Sequence, residues 1–559
     1  MQRAKCNCKT PLTATPDNHL SYLRRTMQPA GQLLYFRSPV DDRLHPCAVC
    51  ATDTDPTPKP LLLEISPGAF DNLPGAVAQT EEIAAIAAAA GLSCIVLRPT
   101  GRGGGSVYQN YGEVDVFEAI EHVAGLYPVD RDRISLTGSS MGGAAVWYLV
   151  SHYPDYFAAA APFCGYCDYR LWEKPGGLTF HMHPWEEPSW QARSAAFLVE
   201  NMRHTPLWIV HGEWDRAIGG GVPVEHSRQM ADLLSKQGFT HTYTEIPKTG
   251  HGCRTPEIWR QIIPWLLQQK KQRQPQQVSL TTYSLRHNRA YWLGIEQLQL
   301  YGAKGTAEAT LEDNALRVAS SRVRTLSLGP VPGGGSRPLE IDGNDLGPFD
   351  LGKQHLFQRQ ADGTWGQSDA LADQKRHGAA GPIGDLFHQG LLLVPGTAGS
   401  DEETYFNRWV ADNAQGYFSS RNGGVHRGGI MGQNAVQLPI IADADLEQQT
   451  LTDNNLLLLG SCASNSVLAR FQDRVPLAFG DDYIELAGKT YAQPGVAVFA
   501  IFPHPLNPQR YLAVHGGPSA DALCWGSHLD MQLLPDYLVY AGGEVLDWGF
   551  WDNQWKLQS

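Results

Sequence analysis

The pentapeptide Gly138-Ser139-Ser140-Met141-Gly142 fits the pattern G-x-S-x-G. Such a serine is a candidate nucleophile when a strand runs into the motif and a helix leaves it. Both signals are present. Residues 133–138 (RISLTG) alternate like a strand, and residues 141–152 carry a helical pattern. The glycines have a steric reason: a nucleophile lifted on a sharp turn has a strained backbone, and the residues two away must leave room for it. Ser140 stands at the nucleophile position, and Ser139 occupies the variable one.

A serine hydroxyl needs a base. In folds that use this elbow, the partners follow in the order Ser, Asp or Glu, His. A strand at 206–212 (PLWIVHG) leads into Glu213-Trp214-Asp215, and a strand at 240–246 leads into Lys248-Thr249-Gly250-His251-Gly252. Both loops leave the carboxyl ends of strands, the edge where open α/β sheets bind ligands. Asp215 is expected to orient the imidazole, with Glu213 as runner-up. His251 is expected to take the Ser140 proton and return it to the leaving group. His211 reads as a structural residue at a strand end, and His226 and His241 as core or surface histidines. The oxyanion of the tetrahedral intermediate needs two donors. The backbone N–H of Met141 is one candidate. The other lies in Ser66-Pro67-Gly68-Ala69-Phe70, where Gly68 is the first choice, Ala69 an alternative, and Pro67 has no N–H to give.

The elements that must hold these loops alternate along the chain. Strands at 61–66, 92–98, 133–138, 158–164, 206–212 and 240–246 are separated by helical patterns at 81–90, 114–127, 141–152, 224–237 and 258–271. This order predicts an α/β fold with a doubly wound, mostly parallel sheet over residues 31–275. Residues 1–30 read as a polar arm. The Gln-rich stretch 268–277 (QQKKQRQPQQ) reads as a linker. Residues 278–559 read as a second, mixed β and α/β region of unknown role, without the 40–50-residue repeat of a propeller.

Composition narrows the classes. Of the 559 residues, 42% are apolar and 18% charged, which suffices for packed cores. A net charge of −13 with no basic stripe argues against nucleic-acid partners. No apolar run reaches membrane-span length, so no membrane partner is expected. The start MQRAKCNCKT lacks an apolar leader, and a cytoplasmic location is expected. Ten cysteines in so long a chain do not form a disulfide scaffold. The close pairs Cys6/Cys8, Cys47/Cys50 and Cys164/Cys167 read as ordinary residues rather than metal ligands, so no metal and no cofactor is expected. Gly101-Arg102-Gly103-Gly104-Gly105 departs from both phosphate-loop patterns.

Taken jointly, Arg102-Gly103-Gly104-Gly105, Gly112 and Asp115, Val129-Asp130 with Arg133-Ile134 before GSSMGG, Tyr153-Pro154, HGEWD and Gly250-His251 resemble the prolyl-oligopeptidase-type branch of the α/β-hydrolases. The resemblance covers roughly 31–270 and implies the triad already reached from spacing. It departs in two places. True oligopeptidases carry a propeller before this domain, whereas here the hydrolase pattern comes nearly first. Ser66-Pro67 also stands where a His-Gly is usual. The chain looks more like esterases built on the same domain, including those acting on acetylated or feruloylated plant polysaccharides. The expected function is serine carboxylesterase, with a peptidase or a non-catalytic binding protein as alternatives. The insertion at about 165–205 should cap the site. Its Trp172, Trp185 and Trp190 are candidate contacts to a sugar or a phenolic acyl group, the other reading being a small core of the cap itself. The expected substrate is a small-molecule or glycan-linked ester.

Overall fold

The computed structural model describes residues 30–66, 72–102, 107–173, 182–216, 221–369, 371, 374–418, 438–519 and 521–558. The expected arm lies almost wholly outside them, as do Cys6 and Cys8.

A run of alternating buried residues with no polar face needs cover on both sides. β3 (Lys59–Ile65) is such a run: all seven residues are buried. It pairs in parallel with β4 (Ile95–Pro99) and β5 (Val129–Ser139). β6 (Ala159–Phe163), β7 (Leu207–Gly212) and β8 (His241–Ile246) continue the parallel side. β1 (Gln32–Arg37) and β2 (Leu44–Ala51) extend the other edge in antiparallel pairing, giving eight strands in the order β1-β2-β4-β3-β5-β6-β7-β8. This is a doubly wound α/β-hydrolase sheet.

The pleat divides its side chains between two cores. Leu61 and Leu63 pack with Val116, Ile120 and Val123 of α2 (Tyr111–Leu126) and Val146 and Leu149 of α3 (Met141–His152). Leu62 points the other way, to Ile83 and Ala87 of α1 (Leu73–Ala89). Further along the chain come α4 (Glu187–Arg193), α5 (Glu225–Gln237) and α6 (Pro256–Gln268). Ile262 and Leu266 of α6 join the Leu62 side, and Met230 and Leu234 of α5 join the opposite one. Cys47 and Cys50 fall in different cores, so their thiols are split between the two faces of the sheet.

α1 starts earlier than the Ala-rich pattern suggests. Asn72 caps it by accepting from Gly75 N–H at 3.0 Å, and Pro74 is tolerated in the first turn because no intrahelical donor is needed there.

The region after the linker divides into two units. Ten strands between Gln277 and Ser368 form two five-stranded sheets that close on one core, including Leu280, Ile295, Ala309, Leu326 and Phe357. A six-stranded sheet follows, in the order Leu391–Pro395, Asn455–Leu459, Asn507–Gly516, Val496–His504, Tyr537–Ala541, Glu544–Gly549. Its first three strands run parallel and the rest antiparallel. Trp551 is fully buried in this unit, with Trp548 and Trp555 packed against its cores.

Buried polar groups join the three units. Glu113 of α2 accepts from Tyr148 Oη at 2.6 Å, from Tyr153 Oη, and from His287 Nε2 at 2.8 Å. Burial alone would raise the Glu113 carboxyl, but His287 and His388 hold it well below its ordinary value. Asn110 bonds Gln532, Arg286 pairs with Asp385, and the Tyr111 ring meets Phe387 edge-on at 6.3 Å. A group whose carboxyl is depressed stabilises the fold above its unfolded titration range and loses that contribution as pH falls through its folded value. Glu113→Ala strands Tyr148, Tyr153 and His287 without their acceptor. Chemical denaturation at pH 7 should show a loss of about 3–5 kcal/mol, and the gap between wild type and variant should narrow in strong acid.

Candidate active site

Ser140 lies between β5 and α3 at φ 60° and ψ −119°, a left-handed conformation that a side chain adopts only under constraint. The constraint is the end of β3. A Cβ on Gly138 would lie 2.1 Å from the Ile65 carbonyl oxygen, and one on Gly142 would lie 2.0 Å from the same atom. Three backbone segments therefore meet where any methyl group would collide. Ser140 N–H donates to Phe163 O at 2.9 Å, fixing the turn to β6. Met141 opens α3, so its N–H is among the first-turn donors that have no acceptor within the helix and carry its positive end. Gly68, the expected second donor, lies outside the described residues, as does its alternative Ala69.

The acid and base loops also approach through a glycine. A Cβ on Gly212 would lie 2.2 Å from Gly250 O and 2.4 Å from Thr249 O. Trp214 N–H donates to Thr249 O at 2.9 Å and Glu213 N–H to Ile246 O at 3.0 Å. This stitching delivers His251 Nδ1 to Asp215 Oδ2 at 2.8 Å. Glu213 is used elsewhere: its carboxylate accepts from Lys248 N–H at 2.8 Å.

Asp215 is almost completely buried and accepts two more hydrogen bonds. Val222 N–H reaches Oδ1 at 3.1 Å, and His211 Nε2 reaches Oδ2 at 3.2 Å. Burial works to raise this carboxyl, and His211 and His251 together bring it below its ordinary value. His211 Nδ1 faces Ser227 Oγ at 2.7 Å, and its Nε2 also faces Val222 O at 3.0 Å. That network assigns the proton to Nε2, with Nδ1 accepting from the serine. His211 is thus a donor to the carboxylate that holds His251. The signal in the sequence was its position, a histidine ending a strand four residues before the acid.

The loop carrying His251 is fixed on both flanks. Cys253 Sγ lies 3.1 Å from Cys164 Sγ at the end of β6. Arg254 donates to Glu64 Oε1 at 2.8 Å and to Gln79 Oε1 at 3.0 Å, and stacks over Trp259 at 4.5 Å. Glu64 is completely buried and also pairs with Arg98 at 2.8 Å. The Asp215 carboxylate and then the Cys164 sulfur raise the His251 imidazole to about 10. The neutral, proton-accepting form therefore grows as pH rises.

The aromatic residues of the insertion fall differently from their expected roles. Trp190, on α4, is 1% exposed. It packs against Tyr169, at 4.7 Å between rings, in a cluster with Val107, Tyr166, Val222 and Leu533. Its faces are spent on packing, so it is a core residue of the cap and not a stacking platform. Trp185 is partly buried, stacked on His183 at 4.2 Å, and packed toward the core of the last unit. The Trp172 side chain lies outside the described part. Trp214, next to Asp215, is an exposed aromatic among the described residues, at 56%. Met141 packs against the same cluster as Trp190, to which the last unit contributes Leu533.

Arg102 is also accounted for. It is buried and pairs with Asp115 and Asp41, with Ser38 Oγ at 2.8 Å. Its guanidinium is committed to these partners rather than to a phosphate. Gly103, Gly104 and Gly105 are outside the described residues.

Residues 83–271 match the model of the prolyl oligopeptidase family (Peptidase_S9). An uncharacterized secreted protein of Arthroderma benhamiae is 35% identical over 132 residues, which span 22% of this chain and 13% of that relative. Among solved structures, a thermostable esterase is 23% identical with a TM-score of 0.32, over 43% of this chain and 63% of its own. The acylaminoacyl peptidase of Pyrococcus horikoshii is 16% identical with a TM-score of 0.36, over 46% and 44%.

Two substitutions test this geometry. Gly142→Ala should lower stability by at least about 1–3 kcal/mol in chemical denaturation, since the strand carbonyl it meets cannot move freely. His211→Ala should lower kcat by about 10–100-fold with little change in KM, the range for one hydrogen bond to a charged group. His211→Gln, which keeps a donor, should recover part of that loss in the same assay.

Proposed function

We propose that this chain, a serine hydrolase whose catalytic domain is a prolyl-oligopeptidase-like α/β-hydrolase, cleaves carboxylic esters through an acyl-enzyme on Ser140. The observations that carry the reading are the 2.8 Å hydrogen bond from His251 to a buried Asp215 and, at the end of the neighbouring β5, a serine strained to φ 60°. In the reaction, Ser140 Oγ attacks the acyl carbon as His251 Nε2 takes its proton. Asp215 keeps the imidazole in the Nδ1–H tautomer and steadies its positive form. The Met141 N–H stabilises the oxyanion. Collapse expels the alcohol with the proton from Nε2, and water then repeats the sequence on the acyl-enzyme.

The apolar wall beside Met141 supports a small or aromatic acyl group, with acetyl and feruloyl esters of plant-derived substrates as the chosen class. The described cysteines form no disulfide, which supports a reducing, cytoplasmic setting. No described helix is long and apolar enough to cross a membrane. The family model favours a second reading, hydrolysis of peptide bonds by the same residues.

The purified full chain and Ser140→Ala should be assayed on p-nitrophenyl acetate, p-nitrophenyl butyrate, methyl ferulate and a prolyl peptide amide. Ester hydrolysis is expected, with a loss of about 10⁴-fold or more in the variant. Cleavage of the amide with no ester preference establishes the peptidase reading. Equal rates in both proteins, or none in either, overturn the catalytic reading and leave a binding protein with a vestigial hydrolase domain.

A further inference from the structure

Three metal-ligating side chains converge at the candidate base. Cys164 Sγ, an Asp215 carboxylate oxygen and a His251 ring nitrogen all lie within 4.8 Å of one another. Cys253 Sγ lies 3.1 Å from Cys164 Sγ, at the edge of this group. The sequence gives no hint of this set, because its members come from the ends of β6, β7 and β8 and share no ligand spacing. The ordinary role of buried thiols is to fill space. Here, however, a carboxylate and an imidazole face the same sulfur, and a core-filling residue has no use for them.

We propose that Cys164, Cys253, Asp215 and His251 form an inhibitory site for a thiophilic divalent cation, Zn²⁺. Two thiolates, an imidazole and a carboxylate are the donor types that tetrahedral zinc takes. Zinc–sulfur bonds of about 2.3 Å set two tetrahedral thiolates about 3.8 Å apart, so the sulfur pair must open by less than about 1 Å. The Asp215–His251 pair must separate by a similar amount. The His251 side chain is 35% exposed, which leaves an entry path along the imidazole.

The chemistry balances without oxidation or reduction. The two thiols release their protons to solvent and bind as thiolates. Asp215 exchanges the Nδ1 hydrogen bond for a bond to the ion. The imidazole's Nδ1 proton moves to Nε2, or to solvent where Nε2 already carries one, and Nδ1 then binds the ion, leaving one proton on Nε2. That is the tautomer that cannot accept the Ser140 proton. Occupation of the site thus removes the base without touching the nucleophile.

Inhibition rests on the catalytic reading above, but binding does not, and the experiment separates them. The full chain, reduced with a phosphine and freed of metal, is titrated with ZnCl₂ during ester hydrolysis. Micromolar Zn²⁺ should inhibit, EDTA should restore the rate, and Cys164→Ser or Cys253→Ser should each raise the inhibitory concentration at least tenfold, each variant being referred to its own metal-free rate. In parallel, Ser140→Ala protein is titrated with Co²⁺. One equivalent should bind, with a thiolate-to-cobalt charge-transfer band and tetrahedral visible bands. This readout needs neither activity nor a folded cysteine variant. Equal inhibition in wild type and both cysteine variants, or cobalt bound without a thiolate band, overturns the proposal.

Discussion

The catalytic edge depends on one steric condition: the carbonyl oxygen of Ile65 must press against both Gly138 and Gly142. A serine at positive φ is an unfavourable backbone state, and it persists only when its surroundings over-determine it. Here β3 supplies that determination from the centre of the sheet, where every residue is buried. The same principle recurs at Gly212, which lies against the carbonyls of Thr249 and Gly250. Two places where side chains are forbidden therefore position the loops of the candidate residues Ser140, Asp215 and His251. Precision at the site comes from backbone contact, which is stiffer than any side-chain contact could be.

Electrostatics then holds what sterics brings together. Charges taken out of water must find partners, or their burial costs several kcal/mol. Glu64 meets this demand with Arg98 from β4 and Arg254 from the loop after His251, so a buried carboxylate in the sheet becomes the anchor of the base. Asp215 meets it with His251, His211 and Val222 N–H. Arg102 meets it with Asp41 and Asp115, tying β4's exit to α2. Each pairing is local chemistry with a positional result, and each would be lost if its loop were displaced by an ångström or two.

What the sequence disclosed follows from the range of each signal. The elbow at Ser140 is a local pattern of strand, turn and helix. The loops of Asp215 and His251 each follow a recognisable strand, so their arrival at one edge could be read from element order alone. His211 could not be read this way, because its role depends on which way a ring turns at a strand end. Trp190 misled for a related reason: an aromatic residue in an insertion has the same spacing whether it lines a cleft or fills a core, and only burial distinguishes them. The Cys164–Cys253 contact joins two elements 89 positions apart and leaves no spacing to detect. The later part of the chain reads as one mixed region in sequence because alternating strands look alike in a sandwich and in a mixed sheet. Only their pairing separates the two cores.

That later part is bound to the catalytic edge in a way that changes what the hydrolase domain is. Glu113 and Asn110 sit at the start of α2, close in sequence to Val107, and their partners His287 and Gln532 come from two different units. Arg193 of α4 donates to Gln532 O at 3.0 Å and to Gln109 Oε1 at 2.8 Å, so the cap, the hydrolase sheet and the last unit share one buried network. Leu533, the next residue, is completely buried in the cluster that reaches Met141. A domain that completed its own core would not leave a depressed carboxylate and an apolar wall to be covered by residues hundreds of positions away. The hydrolase sheet carries the candidate site residues, and its α2 and cap are covered by residues from both later units.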